Sequence, residues 1–73
     1  MTKTIRTNEY RKVIERLKQV RLEIGLTQKE VSDKIKMPQS YVSKVEAGEQ
    51  RIDIIELKRF AELYKKEFNY FIK

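Results

Sequence analysis

Apolar residues recur every three or four positions along the first third of the chain. Between Glu9 and Ile24 they are Tyr10, Val13, Ile14, Leu17, Val20 and Ile24. This spacing is typical of an amphipathic helix with one face turned toward a core. Asn8 or Thr7 is a suitable N-cap, and Gly25 suits the position that follows a helix.

Two short helices are predicted next. Thr27 and Glu30 have the spacing of a capping box, which marks the start of a helix whose inward residues are Val31 and Ile35. Pro38 disfavours a helical Met37, so this helix ends before it. A third helix is predicted over about residues 39–47, with Val42 and Val45 inward and Gly48 at its end.

The rest of the chain predicts two more helices. Asp53 is the expected cap of the fourth. Its inward face is Ile54, Leu57, Phe60, Ala61 and Tyr64. A short helix near residues 68–72 would close the core with Phe68 and Phe71. No alternation of period two is long enough for a strand, so the predicted fold class is all-α.

The outward positions of the third helix are the candidate functional surface. They are Gln39, Ser40, Tyr41, Ser43 and Lys44, which are mostly compact polar groups with one cation. Such groups can hydrogen-bond to base edges in the major groove, which is wide enough for a helix. The alternative interpretation is an ordinary solvated helix face.

Composition narrows the class of function. The 73 residues carry 17 Lys and Arg against 11 Asp and Glu, a net charge of +6. This charge suits nucleic acid first and a membrane surface second, although solubility alone also explains it. There is no Cys or His, so disulfides and the usual zinc sites are excluded. Without a phosphate-binding glycine loop or a convincing carboxylate pair, we expect neither an enzyme nor a cofactor or metal.

Two sequence blocks resemble a known family. The run from Arg21 to Ser32 and the run from Pro38 to Gly48, followed by Arg51, Ile52 and Asp53, resemble the phage repressor and Cro type of helix-turn-helix domain, the XRE family. The resemblance extends over roughly residues 13–72. It implies a compact five-helix bundle of the lambda-repressor type. It also implies that the helix at 28–35 crosses the DNA backbone while the helix at 39–47 enters the major groove.

The resemblance also implies roles for individual residues. The expected base contacts are Gln39, Ser40, Lys44 and Tyr41. The expected phosphate contacts are Thr27, Gln28, Ser43 and Arg51. Arg21 and Glu46 match a pair that forms a partly buried salt bridge in similar proteins, which would neutralise Glu46 beside the DNA.

A second surface is predicted on the last two helices. Ile55 and Leu63 are eight residues apart on one helical face, and with Tyr70 and Ile72 they would leave an exposed apolar strip. Similar proteins form a two-fold dimer contact there, which implies a homodimer. The alternative is that the strip covers the core edge of a monomer. Lys65 and Lys66 replace the usual glycine and apolar residue, so the fourth helix either runs on or turns differently.

We therefore expect a cytoplasmic, sequence-specific regulator, most simply a repressor, that reads a palindromic operator in double-stranded DNA as a homodimer. The alternative is an antitoxin or protein-interaction module whose partner is a protein such as a toxin. Residues 1–7 are expected to be a flexible arm ahead of a domain at 8–73, with Lys3 and Arg6 following the DNA backbone. The N-terminus lacks the apolar stretch of a signal peptide, and no membrane partner is expected.

Overall fold

Five helices connected by short loops make up the part of the chain described by the computed structural model, residues 8–72. They are α1 (Asn8–Ile24), α2 (Gln28–Lys34), α3 (Gln39–Glu46), α4 (Ile54–Tyr64) and α5 (Phe68–Ile72). Residues 8–72 contain no strand. The all-α, five-helix prediction is confirmed. The predicted arm at 1–7, with Lys3 and Arg6, lies outside the described residues.

Capping boxes begin both α2 and α4. The Glu30 amide donates to the Thr27 hydroxyl over 3.0 Å, and the Thr27 amide donates to the Glu30 carboxylate over 2.8 Å. Asp53 and Glu56 make the same exchange at the start of α4, over 2.8 and 3.0 Å. Each box satisfies two backbone donors that a helix N-terminus leaves without a partner, so these short sequences specify where their helices begin.

The two lysines at the ends of α2 and α4 occupy a backbone region that usually favours glycine. Lys36 has a φ of 62° and Lys65 a φ of 59°. The left-handed conformation of Lys65 ends α4 at Tyr64, so the helix does not run on through Lys65 and Lys66. A side chain in this region crowds its own backbone, at a cost of about 1 kcal/mol.

The core lies where the five helices meet. α2 packs on α3, and α1 contacts α3, α4 and α5. The least exposed side chains are Leu17, Val20, Val31, Ser32, Val42, Val45, Phe60 and Phe71. Two residues predicted to face inward do not: Ile24 is 47% exposed and Ile54 is 65% exposed. Ile24 is the last residue of α1 and Ile54 the first of α4, and periodicity alone does not tell whether a terminal residue is covered by another helix.

Replacing Lys65 with glycine is expected to increase the free energy of unfolding by about 0.5–1 kcal/mol, because the left-handed strain is removed at some cost in chain entropy. Urea denaturation measures this. Lys58→Gly, at an exposed position in the middle of α4, is the matched control and should lower the free energy of unfolding by about 1 kcal/mol. A loss of stability in both variants would contradict the strain at Lys65.

Candidate nucleic-acid interface

An open groove runs between the end of α1, the start of α2 and the outer side of α3. Its volume is about 1070 Å³. It is lined by Arg21, Leu22, Gly25, Leu26, Thr27, Gln28, Lys29, Gln39, Ser40 and Ser43. None of these described lining residues is acidic. The groove therefore combines hydrogen-bonding groups and cations without a carboxylate that would repel a polyanion.

The outer side of α3 presents four exposed polar side chains. Gln39 and Ser43 are four residues apart, as are Ser40 and Lys44, so the two pairs lie side by side on the helix surface. Val42 and Val45 are fully buried on the opposite side. The structure thus places Gln39, Ser40, Ser43 and Lys44 together, on one accessible face.

Tyr41 does not belong to this face, and its predicted outward position is wrong. Its side chain is only 7% exposed, and its ring stacks against Phe60 with a centroid separation of 6.2 Å and an interplanar angle of 13°. Burial, followed by the nearby Glu56 carboxylate, raises the pKa of the Tyr41 hydroxyl. Tyr41 lies four residues before Val45, and this spacing could have indicated a core position. The structure therefore does not place Tyr41 with the other candidate base contacts.

An ion pair beneath the groove connects α1 with α3. The Arg21 Nε donates to Glu46 Oε2 over 2.7 Å, and the Arg21 Nη2 donates to Glu46 Oε1 over 3.0 Å. The side chains of Arg21 and Glu46 are 9% and 5% exposed. The hydrogen bond to Glu46 raises the pKa of Arg21, against the opposing effect of burial. Such a two-point contact holds both side chains in one geometry and neutralises Glu46.

Two further hydrogen bonds extend this pair, one to the α1–α2 loop and one to α2. Arg21 Nη1 donates to the Leu26 carbonyl over 2.8 Å, and Gln28 Nε2 donates to Glu46 Oε1 over 2.9 Å. The second bond means that the Gln28 side-chain amide already donates an intramolecular hydrogen bond. The network therefore positions the first turn of α2 relative to α3, which sets the shape of the groove.

Of the remaining candidate phosphate contacts, Thr27 lines the groove and Arg51 lies outside its lining. Thr27 is exposed at the start of α2, and Arg51 is exposed in the loop after α3. Lys29 lines the groove as well, although the sequence interpretation did not select it. Its position next to Gln28, in the first turn of α2, could have indicated from the sequence that Lys29 is a candidate phosphate contact. Lys29 also contacts Asp33 over 3.4 Å, but both side chains are more than 60% exposed, so this pair is weak.

A family comparison agrees with this geometry. The helix-turn-helix family model matches residues 17–71, which is most of the chain. The chain belongs to the XRE type of helix-turn-helix family. No curated protein sequence matches it.

Membership of the XRE family makes the chain a DNA-binding transcription regulator. The family is a regulatory rather than an enzymatic one. In this XRE domain, α2 and α3 are the two helices of the motif. Within residues 8–72, no helix is long and apolar enough to cross a membrane, and no cluster of three acidic, His or Cys side chains is placed to hold a metal ion.

Arg21→Ala is expected to lower the free energy of unfolding by about 3 kcal/mol, because it leaves Glu46 as a buried charge without its partner. This corresponds to a Tm lower by about 12 °C or more. Thermal unfolding followed by circular dichroism measures the change. Lys29→Ala breaks the exposed pair and should cost less than about 0.5 kcal/mol. Equal losses for the two variants would show that the buried pair has no special role.

Proposed function

We propose that this XRE-type regulator is a sequence-specific repressor that reads a palindromic operator as a homodimer, with α3 in the major groove. The observation that carries the proposal is the groove beside the exposed polar face of α3, whose lining residues include no Asp or Glu. The side chains on α3 can donate and accept hydrogen bonds, and no acidic group lines the groove beside them. Such a helix fits the major groove of DNA, where base edges lie between two phosphate backbones.

Base recognition is assigned to Gln39, Ser40 and Lys44. A glutamine amide pairs through two hydrogen bonds with the N6 and N7 atoms of adenine, and a lysine ammonium donates to the O6 and N7 atoms of guanine. A serine hydroxyl serves either kind of base, so it contributes less discrimination. The three side chains are exposed within little more than one turn of α3, a span that matches a few consecutive base pairs.

Contacts to the phosphates are assigned to both sides of α3. Thr27, Gln28, Lys29 and Ser43 would meet one backbone along the groove, and Arg51 the other. The supporting observation is position: four of the five line the groove, and Arg51 is exposed beyond the end of α3. Such contacts orient the domain on the duplex without reading its sequence.

The homodimer is assigned to the exposed apolar side chains of α4 and α5. Ile55 is 61% exposed, Ile72 49% and Tyr70 40%. Leu63, predicted as a fourth member, is half-buried and packs against the core, so it contributes less than expected. Ile54, which the periodicity placed inside, is 65% exposed and adjoins Ile55. A two-fold contact through this surface would present two α3 helices to half-sites about 34 Å apart, which requires a palindromic operator.

Repression needs only occupancy of the operator. A dimer bound across one face of the duplex excludes other proteins from the same base pairs. The proposal therefore assigns no effector and no catalytic step to the domain.

Gln39→Ala and Arg51→Ala are expected to weaken binding in different ways. Loss of Gln39 should reduce affinity for the selected operator about tenfold and leave random DNA unchanged. Loss of Arg51 should weaken both DNAs alike and make the salt dependence shallower by about one counterion. Fluorescence anisotropy at several salt concentrations measures this, on an operator first selected from a random DNA pool.

Gln19→Ala, which changes an exposed glutamine of α1, is the matched control and should bind normally. If the wild-type chain binds no DNA in a salt-dependent manner, the repressor proposal fails and the protein-interaction alternative is favoured. If both variants lose affinity equally on both DNAs, the division between base and phosphate contacts is wrong.

Ile55→Ser is expected to shift the dimer toward monomer and to weaken operator binding, since it places a hydroxyl in the apolar contact. Equilibrium sedimentation over a range of concentrations measures the dissociation constant. Ile24→Ser removes an isoleucine of similar exposure from α1 and should leave the dimer intact. A wild-type chain that stays monomeric at high concentration, with and without DNA, contradicts the assignment.

A further inference from the structure

Tyr10, in the first turns of α1, contacts the loop that carries Arg51. The loop spans residues 47–53, between α3 and α4. The Ile52 amide donates to the Tyr10 hydroxyl over 3.1 Å, and the same hydroxyl donates to the Gln50 carbonyl over a longer 3.5 Å. One hydroxyl thus contacts the backbone groups on both sides of Arg51, which lie 40 and 42 positions away in the sequence.

The first half of this loop is held by α3 itself. Gly48 has a φ of 79°, and the amides of Glu49 and Gln50 both donate to the Lys44 carbonyl, over 2.9 and 3.2 Å. These bonds follow from the helix end and would form whatever residue stood at position 10. They stop at Gln50, one residue before Arg51.

The second half of the loop is held by α4, by Tyr10 and by the Gln50 side chain, whose Nε2 donates to the Arg51 carbonyl over 3.3 Å. The Asp53 amide is satisfied by Glu56 within the capping box. The Ile52 amide lies between this box and Arg51, and its partner is the Tyr10 hydroxyl. The Tyr10 ring is half-buried and packs against the core, and this packing positions its hydroxyl. A backbone segment fixed on both sides loses less conformational entropy when its side chain binds, which favours affinity.

We propose that Tyr10 is a positioning residue for DNA binding: its hydroxyl holds the 50–52 backbone so that Arg51 is directed at a phosphate. This rests on the phosphate contact proposed for Arg51. The role requires no contact between Tyr10 and DNA. Its contribution passes through Arg51 alone, which separates this role from a general contribution to stability.

The test is a double-mutant cycle on the full chain, using the Tyr10→Phe and Arg51→Ala variants singly and together. Phenylalanine keeps the packed ring and removes only the hydroxyl. Tyr10→Phe is expected to reduce affinity about threefold on operator and on random DNA, and to have no effect when Arg51 is already alanine. Anisotropy is measured well below the Tm of every variant, so differences in stability do not enter.

A second readout does not involve DNA. Hydrogen exchange at the Ile52 amide should accelerate in Tyr10→Phe, while exchange at the Glu49 amide stays slow. Tyr64→Phe is the matched control, because it removes a buried hydroxyl that has no hydrogen-bond partner among the described residues, and it should leave affinity unchanged.

The outcomes separate this inference from the repressor proposal. Wild-type chain that fails to bind DNA overturns the proposed function, and the role of Tyr10 with it. Wild-type chain that binds, with a Tyr10→Phe loss that is absent or is equally large in the Arg51→Ala background, overturns only the positioning role.

Discussion

The structure depends most on the buried contact between Arg21 and Glu46. Removing two charges from water is costly, and the cost is offset here by two short hydrogen bonds between the partners and by further bonds to Leu26 and Gln28. This network joins the end of α1, the α1–α2 loop, α2 and α3. Without it, hydrophobic packing would hold the helices together but would constrain the start of α2 much less.

The same network has an electrostatic consequence at the surface. Glu46 lies at the end of α3, the helix that would enter a DNA groove, where a free carboxylate would repel phosphate. Because Arg21 neutralises the Glu46 carboxylate, a glutamate is compatible with this position at the end of α3. A structural contact and a binding requirement are therefore met by one pair of side chains. Loss of Arg21 would remove the contact and leave the Glu46 charge without its partner, whereas loss of Glu46 would remove the contact alone.

Packing against the rest of the domain determines which side chains of α3 are buried and which are exposed. Val42 and Val45 lie in the core, and the Tyr41 ring stacks on Phe60 of α4, whose ring centroid in turn lies 6.0 Å from that of Tyr64. This leaves Gln39, Ser40, Ser43 and Lys44 outside. An eight-residue helix is only marginally stable alone, so its orientation is imposed by this aromatic contact and by the tight pairing with α2.

The sequence by itself determined the number and order of the helices, their capping boxes and most of the core, because caps and periodicity are local properties of neighbouring residues. It also indicated the α3 surface and the pairing of Arg21 with Glu46, through the resemblance of two motif blocks. Only the tertiary structure decided that Ile54 is exposed and that Leu63 lies partly against the core, and it settled the burial of Tyr41, which its spacing to Val45 left open. Likewise, nothing local to Tyr10 indicates that its hydroxyl meets the loop beside Arg51. A residue at the edge or end of a helix is buried only if another helix packs over it. That helix comes from a distant part of the sequence, so a local pattern cannot predict the contact.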